Sequence, residues 1–375
     1  MNKKKITALL MSLTLAVSIT ACSSSNNKAS SDTSTSQITT ESSSEVEEVD
    51  KTDEAETIVD EADIVKINLG DSISIDGEGA TAEGSIVNIT KSGTYRISGT
   101  LTNGQIDVNT SGKVTLQLDG VTITNSQGPA IMVTDAKKIT VTLLENTINS
   151  LADGDSNNEN DAALFTNDTL VVNGEGTLNV TGNNNEGISS DDDIIINSGI
   201  INVTALDDGL NAHDDITING GEIFVNVNGG DGIDSNGTIH ITGGNIISLG
   251  SIVQGNEGVD TNGNDMFTIT GGTVIATGIG ATAPSSDSTQ ASLYFDLNST
   301  QAQGTKFTIE LDGKEIVSYA PERTYQALYY SSDILTEGAT YDTSVDRGTS
   351  ITSIAAIVPE GAGMMSGGPG QKSGK

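Results

Sequence analysis

The chain has 375 residues, of which 17 are basic and 51 acidic, for a formal charge of −34. A surface that acidic repels a phosphate backbone, which argues against nucleic acid as a partner. A single cysteine excludes an intrachain disulfide, and 43 glycines with no tryptophan and 3% aromatic residues exclude a core built on large rings. A long, thin core of stacked small aliphatics fits that composition.

The N-terminus carries Lys3, Lys4 and Lys5, an apolar run from Ile6 to Ala16, and then Ile19-Thr20-Ala21-Cys22. A basic start, a run too short to span a bilayer and a small-residue ending predict a signal peptide over 1–21. The ending resembles a bacterial lipobox, which implies cleavage before Cys22, acylation of its thiol, and a protein anchored to the membrane on the exterior side. A plain secretory signal followed by an incidental cysteine is the alternative. Residues 22–61, rich in Ser and Thr and then in acids, read as a flexible tether.

From about Ile64 the pattern alternates with period two, as in Ile73-Ser74-Ile75 and Val87-Asn88-Ile89, and predicts strands. The strongest signal is an internal repeat. Its coils read TLVVNGEGTLNVTGNNNEGISSDD, DIIINSGIINVTALDDGLNAHD, DITINGGEIFVNVNGGDGIDSNG and TIHITGGNIISLGSIVQGNEGVDTNG, with glycines at Gly187, Gly209, Gly232 and Gly258. A period in the low twenties is one solenoid turn per repeat. Degenerate copies on either side bring the expectation to about eight coils over 62–283, an all-β parallel β-helix in which Ile and Val point inward. Asn173, Asn197 and Asn219, continued by Thr242 and Thr270, fall at equivalent corners and predict a side-chain ladder. After Ala281 the repeat ends. LYFDLN, KFTIELDG, KEIVSYA and QALYYSS predict a C-terminal β cap over 284–360, with a disordered tail over 361–375.

Aligning the coils at the repeated glycine places Glu186, Asp208, Asp231 and Glu257 in one column. Ser189, Asn211, Asp234 and Asp260 form a second, and Asp191, His213, Asn236 and Asn262 a third. Carboxylates one rung apart repel by several kcal/mol at intermediate dielectric. No lysine or arginine occurs between Lys138 and Lys306 to offset that. A bound cation is the economical answer, and an all-oxygen set of Asp, Asn and Glu suits Ca2+. The candidate metal ligands are Glu186, Asp208, Asn211, Asp231, Asp234, Glu257 and Asp260; the competing reading is a solvated acidic edge.

The segments GTYRISGTLTNGQI (93–106), LDGVTITNSQGPAI (118–131), the acid-Gly-aliphatic repeats and YYSSDILTEGATY (329–341) together resemble a family of bacterial cell-surface carbohydrate-binding β-helix domains, over roughly Ala62 to Pro359. The resemblance implies a right-handed, pectate-lyase-like helix, calcium at the acid-Gly-aliphatic turns, and binding of cellulose or acidic sugars without lyase activity. One departure is that members often place a basic residue in these loops, where this chain has Ser189, Asn211, Asp234 and Asp260. Direct contact with an acidic sugar then requires a bridging ion.

Three function classes share the predicted fold. Elimination from a uronate needs a base beside the metal, commonly Arg or Lys in this fold, and the acidic coils hold neither. Asp207-Asp208 with His213 imitates an inverting hydrolase set but lacks the Arg-x-Lys pair that such solenoids carry. A purely structural stalk would use the helix as a spacer. The reading preferred is a non-catalytic, calcium-dependent polysaccharide binder, monomeric, with Phe165 and Phe224 as the aromatic candidates within the coils.

Overall fold

The computed structural model describes residues 59–154, 162–253, 255–346, 348 and 350–363. The signal peptide, Cys22 and nearly all of the tether lie outside them, as do Arg347 and the tail from 364 onward.

The described residues belong to one compact unit. Apart from a short 3-10 turn at Glu61–Asp63, the regular structure among the described residues is all strand. Each complete coil contributes three strands. One coil runs Glu186–Ser190, Ile194–Ile196 and Ile200–Ala205; the next runs Leu210–Ala212, Ile216–Ile218 and Glu222–Val227; the third runs Ile233–Ser235, Ile239–Ile241 and Asn245–Leu249. The first strands stack into a nine-stranded sheet, whose outermost member, Ala80–Glu83, pairs antiparallel with Ile86–Ile89. Eight parallel strands remain, so the solenoid completes about seven turns. The eight sequence copies are rungs, and turns are the intervals between them.

Period-two alternation sets the core. Leu170, Ile194, Ile216, Ile239 and Phe267 register one above another on one face. Leu178, Ile201, Ile223, Ile246 and Val274 do so on the second. On the third the column is Ile131, Leu164, Ile188, Leu210, Ile233 and Val259. All of these are buried. Like residues pack on like while the backbone pairs between rungs, and each buried side chain contributes about 1.5–3 kcal/mol.

The corner between the first two faces carries the expected ladder as far as Thr242; no side-chain hydrogen bond extends it to Thr270 among the described residues. Asn197 Nδ2 donates to Asn173 Oδ1 at 2.9 Å, Asn219 Nδ2 to Asn197 Oδ1 at 2.8 Å, and Thr242 Oγ1 to Asn219 Oδ1 at 2.7 Å. The chain then turns through Gly174, Gly199, Gly221, Gly244 and Gly272, all at positive φ between 85° and 111°. That backbone region penalises any Cβ, which is why a glycine follows each ladder residue.

Both ends of the stack are covered, which removes open edges that would template further pairing. At the first end, Ser74–Asp76 folds back antiparallel on Val65–Leu69. At the last, Tyr325–Ser331 pairs antiparallel with Thr273–Gly278 and with Ser292–Gln301. A four-stranded antiparallel sheet, ordered Lys314–Tyr319, Phe307–Leu311, Thr340–Val345 and Ile351–Ile354, lies beyond. A second core joins Ile275 of the solenoid to Leu293, Phe295, Phe307, Tyr325, Tyr330 and Tyr341.

Candidate metal site at the acidic turns

The acid-Gly-aliphatic segments form the turn into the third face and its strand. Their columns stack as aligned. Gly187 N–H donates to Asp208 O at 2.9 Å, Gly209 N–H to Asp231 O at 3.0 Å and Gly232 N–H to Glu257 O at 3.0 Å. In the second column Ser189 registers with Asn211, Asn211 with Asp234 and Asp234 with Asp260.

The repeated glycine answers to close packing. None of Gly187, Gly209, Gly232 and Gly258 has positive φ. A Cβ at Gly209 would stand 2.1 Å from Val225 Cγ1 and 2.6 Å from Gly232 O, and one at Gly232 would stand 2.6 Å from Gly258 O. Each glycine lets one rung settle on the next and brings the flanking acids within a rung spacing of each other.

Hydrogen bonds sort the seven candidate ligands. Asp208 Oδ1 accepts from the Asp231 backbone N–H at 2.7 Å, and its Oδ2 accepts from Asn211 Nδ2 at 2.9 Å. Asp208 and Asn211 therefore largely satisfy one another and the next rung. Asp231 Oδ1 accepts from the Glu257 backbone N–H in turn. Glu186 accepts from Asn185 Nδ2 at 3.2 Å and lies two rungs before Asp231. What the fold brings together is Asp231, Asp234 and Asp260, whose carboxylate oxygens lie within 4.8 Å of one another. Asp231 and Asp234 are buried and Asp260 half-buried.

The electrostatics around the trio are those of a site short of positive charge. Burial pushes the Asp231 carboxyl well above the usual range, with Asp208 and Asp260 adding to the shift. Asp208 is pushed up to about 6, by burial first and by Asp207 and Asp260 to a lesser extent against its two hydrogen bonds. Glu257 is pushed up to about 8 by burial and by Asp260. Glu257 is 4% exposed, and its Oε2 has no hydrogen-bond partner among the described residues. A buried carboxylate oxygen without a donor costs on the order of 1–3 kcal/mol or more when charged. Hard oxygen ligands beside a buried carboxyl oxygen without a donor make a group that could hold a metal ion.

A family model described as carbohydrate-binding domain-containing protein matches residues 83–320, more than half of the chain. The chain belongs to this carbohydrate-binding family. Among the family's proteins, a carbohydrate-binding domain-containing protein of Acetivibrio thermocellus is 35% identical over 128 residues, covering 32% of this chain and 45% of the relative. The match thus spans less than half of that relative's length. A gadolinium derivative of a polysaccharide lyase-like protein from C. thermocellum is 30% identical, covers 56% of this chain and 93% of that chain, and superposes with a TM-score of 0.46.

Several features of this family member were not legible in its repeats. Thr282 donates from Oγ1 to Asp260 Oδ1 at 3.0 Å, yet it stands just past the point where the repeat stops. Asp153 is buried and accepts from the backbone N–H groups of Asn183 at 2.5 Å and Asn184 at 3.2 Å. It caps a rung as Asp208 and Asp231 do, but it stands at the head of the polar run Asp153–Asp161, outside the aligned coils. Of the two aromatic candidates, Phe165 is buried at 6% exposure, so it offers no ring to a ligand, while Phe224 is half-buried.

Proposed function

We propose that this protein is a non-catalytic, calcium-dependent polysaccharide binder displayed at the cell exterior and anchored through a lipid on Cys22. The observation that carries the reading is the convergence of Asp231, Asp234 and Asp260 within 4.8 Å, in a chain of a carbohydrate-binding family. Those three residues would hold the ion, and Asp208 and Glu257 would add negative charge around it. A bound calcium supplies neutralisation of the buried carboxylates and open coordination positions for sugar hydroxyl or carboxylate oxygens. Catalysis is disfavoured because the coils that hold the acids contain no lysine or arginine to act as the base of an elimination.

A glycan array probed in calcium and again in excess chelator tests the reading. Binding to cellulose-like or uronate polymers that is lost in chelator, with the polymers recovered uncut, is the expected result. Cleaved polymer would establish a lyase or hydrolase instead, and binding to none of them would leave the stalk. Cys22→Ala should release the protein into the medium or leave its signal uncleaved; unchanged lipid labelling of that variant would refute the anchor.

A further inference from the structure

The outward side of the second face carries chemistry that the acidic turns do not use. Its central column reads Asn179, Asn202, Phe224, Ile247 and Ile275 in register. Asn202 Nδ2 donates to Asn179 Oδ1 at 3.0 Å, so the amides form a ladder along the solenoid axis. Beside it Thr181, Thr204 and Asn226 make a second polar column. Ile275 belongs to the core of the C-terminal cap and Ile247 packs against it, so the cap shelters the apolar end of the column. Phe224 is the next rung, half-buried.

At that rung the cap contributes a cation. Arg323 donates from Nε to Asn226 Oδ1 at 2.6 Å, which places the guanidinium beside the rung of Phe224. Arg323 is half-buried, and among the described residues it forms no ion pair. Glu222, the third outward residue of the rung, is exposed and does not pair with it, while the neighbouring Glu322 accepts from the Tyr319 hydroxyl. A partly desolvated guanidinium that finds no carboxylate among the described residues retains N–H donors for an anion from outside.

We infer that Arg323, Phe224 and the Asn202–Asn179 ladder form a second glycan site, which takes an extended, carboxylate-bearing polysaccharide without a metal ion. The chain lies along the solenoid axis. Its hydroxyls meet amides and threonines repeated at the rung spacing, one sugar ring stacks on Phe224, and one uronate carboxylate accepts from Arg323. The neutral amide ladder supplies length, and the guanidinium supplies selection for the acid. The cap thereby provides the basic group that the acidic coils lack.

The site rests on the family's carbohydrate binding but is independent of calcium, and its test separates the two. Binding of polygalacturonate by the full chain is measured by calorimetry in excess chelator, with its methyl ester and cellohexaose for comparison. The wild type is expected to retain weak binding of polygalacturonate that falls with added salt, and to bind the methyl ester less well. Arg323→Gln and Phe224→Ala should each weaken that binding about tenfold or more, whereas Arg323→Lys should retain part of it. Asp231→Asn with Asp234→Asn should leave the chelator-resistant binding intact while removing any calcium-dependent increment. Absence of chelator-resistant binding in the wild type would overturn the proposal. So would equal affinity for the acid and its ester, or an Arg323→Gln variant of unchanged melting temperature that binds as the wild type does. A calcium increment that survives in the double Asp variant would instead count against the metal site.

Discussion

Asp231 accepts a hydrogen bond on Oδ1 from the backbone N–H of Glu257, one rung along the solenoid. The same carboxylate lies with Asp234 and Asp260 in the cluster of oxygens. Asp231 therefore links the stacking of two coils to the charge of the acidic turn, and anything that changes its ionisation acts on both.

The first consequence is a pH dependence. A carboxyl whose folded pKa lies above its unfolded value binds more protons folded than unfolded, so stability falls as pH rises between the two. Asp208 spans 3.8 to about 6 and Glu257 spans 4.5 to about 8, with Asp231 shifted in the same direction. In chelator, the unfolding free energy should decline from roughly pH 4 to pH 8, with on the order of 2–3 kcal/mol from Asp208 alone. The proposed calcium would bind the ionised forms, so in its presence the decline should flatten or reverse. Urea melts at several pH values with and without chelator measure this; a profile that rises with pH in chelator contradicts it.

Charge removal at the cluster should differ from charge removal elsewhere. At a hundredfold excess over its dissociation constant, calcium should raise stability by about 2.7 kcal/mol. Asp231→Asn with Asp234→Asn should abolish most of that gain. Glu45→Gln with Glu47→Gln removes equal charge outside the described residues and should preserve it. If both double variants respond alike to calcium in thermal melts, the acidic column is a solvated edge.

How far the sequence could be read depended on whether a feature repeats. The inward Ile and Val columns and the Asn173–Asn197–Asn219 ladder recur once per coil, so a period was enough to find them. The register of Ser189, Asn211, Asp234 and Asp260 followed from the same alignment. The division of labour among the acids did not, because it depends on which oxygen faces the next rung's N–H. Asp208 and Asp231 look alike in the repeat, yet Asn211 occupies one oxygen of the former. Thr282 and Arg323 reach their partners Asp260 and Asn226 from outside the repeat, across 22 and 97 residues, where no periodicity points.

The packing role of the repeated glycine predicts an overpacking penalty. Gly209→Ala should cost about 1–3 kcal/mol, because the new methyl meets Val225 and the Gly232 carbonyl, and neither can withdraw without moving a rung. It should also weaken calcium binding, since Asp208 and the Asp231 turn are the groups displaced. Gly70→Ala is the comparison: its Cβ meets only Ser72 O at 3.7 Å, and its stability should change by less than about 0.5 kcal/mol. Equal melts for the two variants would mean that the coils relax around the methyl.

The corner ladder makes a prediction about position within a series. Asn197 both donates to Asn173 and accepts from Asn219, whereas Thr242, further along the ladder, makes one such bond, donating to Asn219. Asn197→Ala breaks two hydrogen bonds and leaves an amide on each side without its partner. The ladder is only partly sheltered, so water repairs some of that loss, and a cost of about 1–2 kcal/mol is expected. Thr242→Ala should cost about half as much. Asn197→Asp retains the acceptor for Asn219 and loses the donor to Asn173, so it should fall between them at neutral pH. Urea midpoints for the three variants give the order directly. A cost that is equal at both positions would show the bonds to be incidental, with the corner held by its positive-φ glycines and the core columns alone.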